Sequence, residues 1–83
     1  MNIELKLFAS LSTFLPQGAV SNKITLDIGE DTTPAKLIDD LDLPKEACFL
    51  VLVNGVYLTP QEREVRTIQD GDAVAIWPPI AGG

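Results

Sequence analysis

Phe49-Leu50-Val51-Leu52-Val53-Asn54-Gly55-Val56-Tyr57-Leu58 reads as a strand, a two-residue turn and a short returning strand. The unbroken apolar run 49–53 predicts a central strand buried on both faces. Asn and Gly both tolerate positive φ, so Asn54-Gly55 is a strong signal for a tight hairpin. A hairpin alone is marginally stable in water, so the rest of the chain must supply further strands and a cover for the sheet.

Upstream, Ile3, Leu5 and Leu7 alternate with Asn2, Glu4 and Lys6, the period of a strand with one buried face. Leu11, Phe14 and Leu15 suggest a short helical turn over Ser10–Leu15, stopped by Pro16-Gln17-Gly18. Ile24, Leu26 and Ile28 alternate with Lys23, Thr25 and Asp27, a second strand ending at Gly29. Thr33 can cap a helix that starts at Pro34, with Glu30 and Asp31 at the positive end of its dipole. Leu37, Ile38 and Leu41 form its apolar stripe, Lys36, Asp39 and Asp40 face water, and Pro44 ends it after two to three turns. Downstream of the hairpin, Thr59–Gln69 reads as a polar, irregular connection anchored by Val65 and Ile68. Gln69-Asp70-Gly71-Asp72 makes a turn, and Ala73–Trp77 forms the last strand, stopped by Pro78-Pro79. The order predicts an α+β fold, a mixed sheet of four to five strands packed on one main helix. The folded domain is expected over 1–77, with an extended tail over 78–83. Periodicity leaves the strand order open.

The 83 residues suffice for one small domain, which buries only about 60% of its unfolded surface. Six basic against twelve acidic residues give a net charge of −6. Nucleic acid and anionic membrane surfaces are therefore unsuitable partners, whereas a protein with a basic docking face is favoured. No basic flank precedes an apolar segment at the start, and no apolar run approaches the roughly 20 residues that span a bilayer. The chain reads as cytoplasmic.

With no histidine and one cysteine, Cys48, the chain lacks a Ser-His-Asp or Cys-His device and a zinc ligand set. Cys48 precedes the strand run and reads as a small buried hydrophobe. Asp39-Asp40-Leu41-Asp42 lacks the spacing of a calcium loop and reads as a solvated helix face. No metal and no resident cofactor are expected. What remains is the end, Trp77-Pro78-Pro79-Ile80-Ala81-Gly82-Gly83. Four residues beyond Pro79 reach about 13 Å when extended. Gly82-Gly83 lacks Cβ atoms, can pass a narrow channel and carries an unhindered carboxylate. Such a carboxylate can attack the α-phosphate of ATP inside a partner enzyme to form an acyl-adenylate. A sulfur nucleophile can then displace AMP.

Leu7-Phe8-Ala9, Val53-Asn54-Gly55, Asp70-Gly71-Asp72 and the closing Ile76-Trp77-Pro78-Pro79-Ile80-Ala81-Gly82-Gly83 together resemble the ubiquitin-like β-grasp sulfur carriers of the MoaD/ThiS family. The likeness is greatest to the small subunit of molybdopterin synthase and spans nearly the whole chain. Trp77 stands where that family commonly has Phe, and the helix 34–41 is brief for it. The resemblance implies that Gly83 is adenylated and then thiocarboxylated, with Gly82 giving access. It implies that Ile80, Ala81, Pro78, Pro79 and Trp77 enter or touch a partner. The partners it implies are an adenylating, ubiquitin-activating-like enzyme that consumes ATP, and the molybdopterin synthase large subunit or another sulfur acceptor. The chain itself would be a carrier or non-catalytic subunit. Alternative recipients are thiamine, cysteine or tRNA thiolation. Conjugation of Gly83 to lysines, and a non-catalytic interaction module with an incidental tail, are the other readings.

Overall fold

The computed structural model describes residues 1–79; Ile80, Ala81, Gly82 and Gly83 lie outside the described residues. Five strands form one mixed sheet: β1 (Asn2–Leu7), β2 (Lys23–Asp27), β3 (Leu50–Val53), β4 (Val56–Tyr57) and β5 (Ala73–Trp77), in the order β2-β1-β5-β3-β4. The first and last strands lie side by side and parallel, with Leu5 opposite Val74 and Leu7 opposite Ile76. The other three pairings are antiparallel. Helix α1 (Pro34–Asp40) crosses one face, and a second short helix, α2 (Pro60–Val65), lies beside it. This is the β-grasp arrangement expected from the sequence.

The alternation in β1 and β5 directs Ile3, Leu5, Leu7, Val74 and Ile76 inward against Leu37 and Ile38 of α1. Leu11, Leu43, Leu58 and Ile68, from the connections, close the same core. Burying a side chain such as Leu37 stabilises the fold by about 1.5–3 kcal/mol. The described residues leave the opposite face of the sheet uncovered, and this corrects the expectation for residues 49–53. Only Val51 and Val53 are buried in β3, Leu50 and Leu52 are half-covered, and Phe49 is 58% exposed. The central strand is β5, not β3, because β5 is flanked by β1 on one side and β3 on the other.

Thr33 caps α1 as expected, its hydroxyl accepting from the Lys36 amide at 3.2 Å, with Pro34 first in the helix. The helix ends before Pro44. The Leu43 amide donates to the Ile38 carbonyl and the Asp42 amide to that of Asp39, with Asp42 at φ +56°. These two bonds are a Schellman stop, joined by the buried pair Ile38 and Leu43. The larger departure is α2, where an irregular connection was expected. Thr59 accepts from the Glu62 amide while Glu62 accepts from the Thr59 amide, a capping box, with Pro60 at the first helical position. Ile68 anchors the connection, but Val65 is 76% exposed at the helix end.

The hairpin and the Asp-Gly-Asp turn meet. Asn54 (φ +52°) and Gly55 (φ +82°) make the tight turn, and the Asn54 side chain reaches across to Asp72. Its amide nitrogen donates to Asp72 Oδ1 at 2.8 Å and its Oδ1 accepts from the Ala73 amide at 2.9 Å. Asp72 Oδ2 accepts from the Gln69 amide at 2.8 Å, and the Asp72 carbonyl accepts from the Glu4 amide at 2.9 Å. Asp70 accepts from the Asn2 amide, and Gly71 donates to the Asn2 carbonyl.

Asp72→Ala strands the Asn54 amide and the Gln69 N–H together and is expected to cost about 2–3 kcal/mol, read from urea unfolding. Thr59→Ala removes one half of the capping box and should cost about 1 kcal/mol in the same measurement. Hydrogen bonding from the Thr59 amide, and then from its side chain, holds the Glu62 carboxyl below its usual range. Its contribution is therefore present above the ordinary glutamate pKa and lost as the pH falls through the lowered value, so the cost of Glu62→Ala in urea unfolding should shrink in acid.

Candidate functional site

The last strand delivers the chain's end from the middle of the sheet. Two backbone bonds clamp its final residues from opposite sides. The Phe8 amide, next to β1, donates to the Ile76 carbonyl at 3.2 Å, and the Phe49 amide, next to β3, donates to the Trp77 carbonyl at 2.9 Å. Pro78 and Pro79 have no N–H, so the ladder stops on the donor side at Trp77.

Trp77 belongs to the uncovered face, with Ala73 and Ala75, by the alternation of β5. Its ring stacks on that of Phe8, centroids 4.1 Å apart and planes within 2°. Trp77 and Pro78 are half-buried, and Pro79 is exposed. Leu50 is opposite Trp77 in the register, Leu52 opposite Ala75 and also opposite Tyr57. An apolar strip thus runs across the uncovered face beside the chain's exit. Of the expected site residues, the structure therefore places Trp77, Pro78 and Pro79 together at one end of β5. Ile80, Ala81, Gly82 and Gly83 fall outside the described residues. Phe8 had no role assigned from the sequence, although its parity with Glu4 and Lys6 on β1 already put it on the outward face.

Cys48 is buried, as expected. Its thiol donates to the Pro44 carbonyl at 3.4 Å and lines an open hollow of about 340 Å³ with Ala35, Ile38, Pro60 and Arg63. Burial pushes the thiol pKa up, against the opposing pull of the Arg63 guanidinium. Arg63 itself is spent on structure, donating to the carbonyls of Leu58, Cys48 and Phe49. Among the described residues no three His, Cys, Asp or Glu side chains gather as a metal would require, and no helix is long and apolar enough to cross a membrane.

Residues 5–83 match the model of the ThiS family. The chain belongs to the ThiS family. No curated protein matches the sequence. Among solved structures, the HVO 2177 protein of Haloferax volcanii is similar at 26% identity, with a TM-score of 0.78 over 100% of this chain and 87% of that one. SAMP1, small archaeal modifier protein 1 of the same organism, is similar at 25% identity and TM-score 0.68, covering 100% of both chains. At 15% identity, a chain in the complex of subunits 1 and 2 of the Helicobacter pylori molybdopterin-converting factor shares the fold, with a TM-score of 0.60 and 100% of both chains covered. The ThiS-family protein is thus a ubiquitin-like β-grasp protein of the sulfur carrier and modifier group.

In this ThiS-family chain the chemistry sorts by position. The thiol is buried and covered, whereas the strand end is clamped and presented. Native Cys48 should react with iodoacetamide at mildly alkaline pH more than about tenfold slower than in urea, since both the thiolate fraction and access are reduced.

Proposed function

We propose that this protein carries sulfur as a thiocarboxylate on Gly83, for delivery in molybdopterin synthesis. The observation that supports the reading most directly is the clamped end of β5. A core strand held on both sides at Ile76 and Trp77 runs into Pro78-Pro79, and from there the sequence leads to Gly82-Gly83 within the matched family region.

A rigid exit lowers the ordering cost of threading a tail into another protein. In the partner adenylating enzyme, a Gly83 carboxylate oxygen attacks the α-phosphorus of ATP and pyrophosphate leaves. A sulfide-level nucleophile then attacks the acyl carbon, the C–O bond to AMP breaks, and Gly83 ends as a thiocarboxylate. The groups that bind ATP and stabilise these transition states belong to the partner, consistent with a chain that has no histidine. The same tail then enters an acceptor enzyme, in this reading the large subunit of molybdopterin synthase. In this reading Ile80, Ala81 and Gly82 enter the partner's passage with Gly83, and Trp77, Pro78 and Pro79 contact its mouth. The net charge of −6 favours partners with basic docking faces.

A second reading, conjugation of Gly83 to a lysine amine, is favoured by the likeness to SAMP1 along the full length of both chains. It uses the same acyl-adenylate and differs only in the nucleophile that consumes it.

Incubation with ATP, an adenylating enzyme and a sulfide source is expected to raise the intact mass by the difference between one sulfur and one oxygen atom. Deleting Gly82-Gly83 should abolish the shift while leaving the unfolding transition in place. The absence of any shift with competent enzyme would sink the carrier reading. Adducts on other proteins that depend on Gly83, with no thiocarboxylate formed, would establish the conjugation reading in its place.

A further inference from the structure

We propose that Phe8 is a positioning residue for the carboxyl-terminal tail, acting through Trp77 to set the direction in which the chain leaves the sheet at Pro79. This deepens the carrier reading above and rests on it.

The residues after Phe8 explain why its ring can do this. Ala9 adopts φ +52°, an uncommon conformation for a residue with a Cβ, and turns the chain off the sheet immediately after Phe8. The corner is held by three contacts. The Leu11 amide donates to the Phe8 carbonyl at 3.1 Å, the Ser12 hydroxyl donates to the Ala9 carbonyl at 2.8 Å, and the Leu11 side chain is buried in the core. Phe8 is therefore fixed from its own side, independently of Trp77. Its amide meets the Ile76 carbonyl and its ring meets the indole, so one residue grips both the backbone and the side chain of the strand end.

Beyond Trp77 the backbone no longer donates to the ladder, and the described residues show no other ring stacked there. Pro78 and Pro79 have φ locked near about −65°, and each restricts the residue before it to extended conformations. Orientation imposed at Trp77 is consequently transmitted along the prolines rather than lost within one residue. Among the described residues the Phe8 ring is the one aromatic side chain stacked on the strand end. Near-parallel rings with centroids 4.1 Å apart leave the indole little freedom to turn about its χ angles while the stack holds.

The experiment uses the full chain with three substitutions. Phe8→Leu keeps apolar bulk but removes the flat ring, Phe8→Tyr keeps the ring, and Trp77→Leu removes its partner. Phe8→Met replaces Phe8→Leu if circular dichroism finds the latter unfolded. Trp77 is the single tryptophan, so its fluorescence anisotropy decay reports the stack directly and without any enzyme. Wild type and Phe8→Tyr should show an indole that moves with the whole molecule, and Phe8→Leu an added fast local motion. In ATP-dependent activation by the adenylating enzyme, Phe8→Leu should raise the KM for the carrier by about two- to tenfold, the range that a lost aromatic stack converts to. The kcat should hold, because the reacting groups are the partner's and Gly83's. Phe8→Tyr should restore KM, and in a Trp77→Leu background Phe8→Leu should add nothing.

An unchanged anisotropy decay in Phe8→Leu overturns the proposal. Additive KM effects of Phe8→Leu and Trp77→Leu also overturn it, since Phe8 would then touch the partner on its own account. A wild-type chain that no adenylating enzyme activates counts against the carrier reading, and the anisotropy decay still decides the stack.

Discussion

The hydrogen-bonded junction between Asn54 and Asp72 is the constraint on which the rest of the sheet depends. Asp72 is 8% exposed, and its carboxylate and carbonyl take hydrogen bonds from the Asn54 side chain, the Gln69 amide and the Glu4 amide. Those donors come from the β3–β4 turn, the approach to β5 and β1. A buried carboxylate without such donors would be costly, so the site holds only when the three segments converge. The need is acute because β1 and β5 are parallel and no tight turn can join them. Their register is set at the start of both strands, by Asp70, Gly71 and Asp72 bonding to Asn2 and Glu4. From there it propagates along the ladder to Leu7 and Ile76.

The strand end follows from that junction. β5 is held at its first residue by Asn54 and at its last two by the amides of Phe8 and Phe49. With α1 covering only one face, the alternation of β5 sends Val74 and Ile76 into the core and Trp77 to the open side. The same geometry that buries the last strand therefore presents its final aromatic residue, and the prolines behind it, on an accessible surface. Pre-organisation of this kind suits a chain whose reactive group must work inside another protein.

The helical face shows the reverse arrangement. Arg63 of α2 ties its guanidinium to three carbonyls around the start of β3, closing over Cys48. A thiol beside a guanidinium is often activated, but here desolvation outweighs the nearby charge and the thiol pKa rises. The ion pairs on the remaining surface, such as Lys36–Asp40, are solvent-exposed and contribute little.

By itself the sequence determined the local elements wherever a short-range rule decides them. The period of two in β1 and β2, the Pro78-Pro79 stop after β5, the Asn54-Gly55 turn, the Thr33-Pro34 helix start and the α+β outcome all rest on residues close together in the chain. The capping box Thr59-Pro60-Gln61-Glu62 is equally local, but the polar composition of 59–69 hides the signature of the first turn of α2. Tertiary structure alone decided what depends on partners far along the chain. Hydrophobic run length could not tell whether 49–53 is covered on both faces, because coverage is set by where the helices pack. Strand order, the burial of Asp72 and the meeting of Phe8 with Trp77 arise from contacts across most of the chain. No window of sequence contains both sides of those contacts, so their geometry emerges only when the parallel pairing of β1 and β5 brings the two ends together.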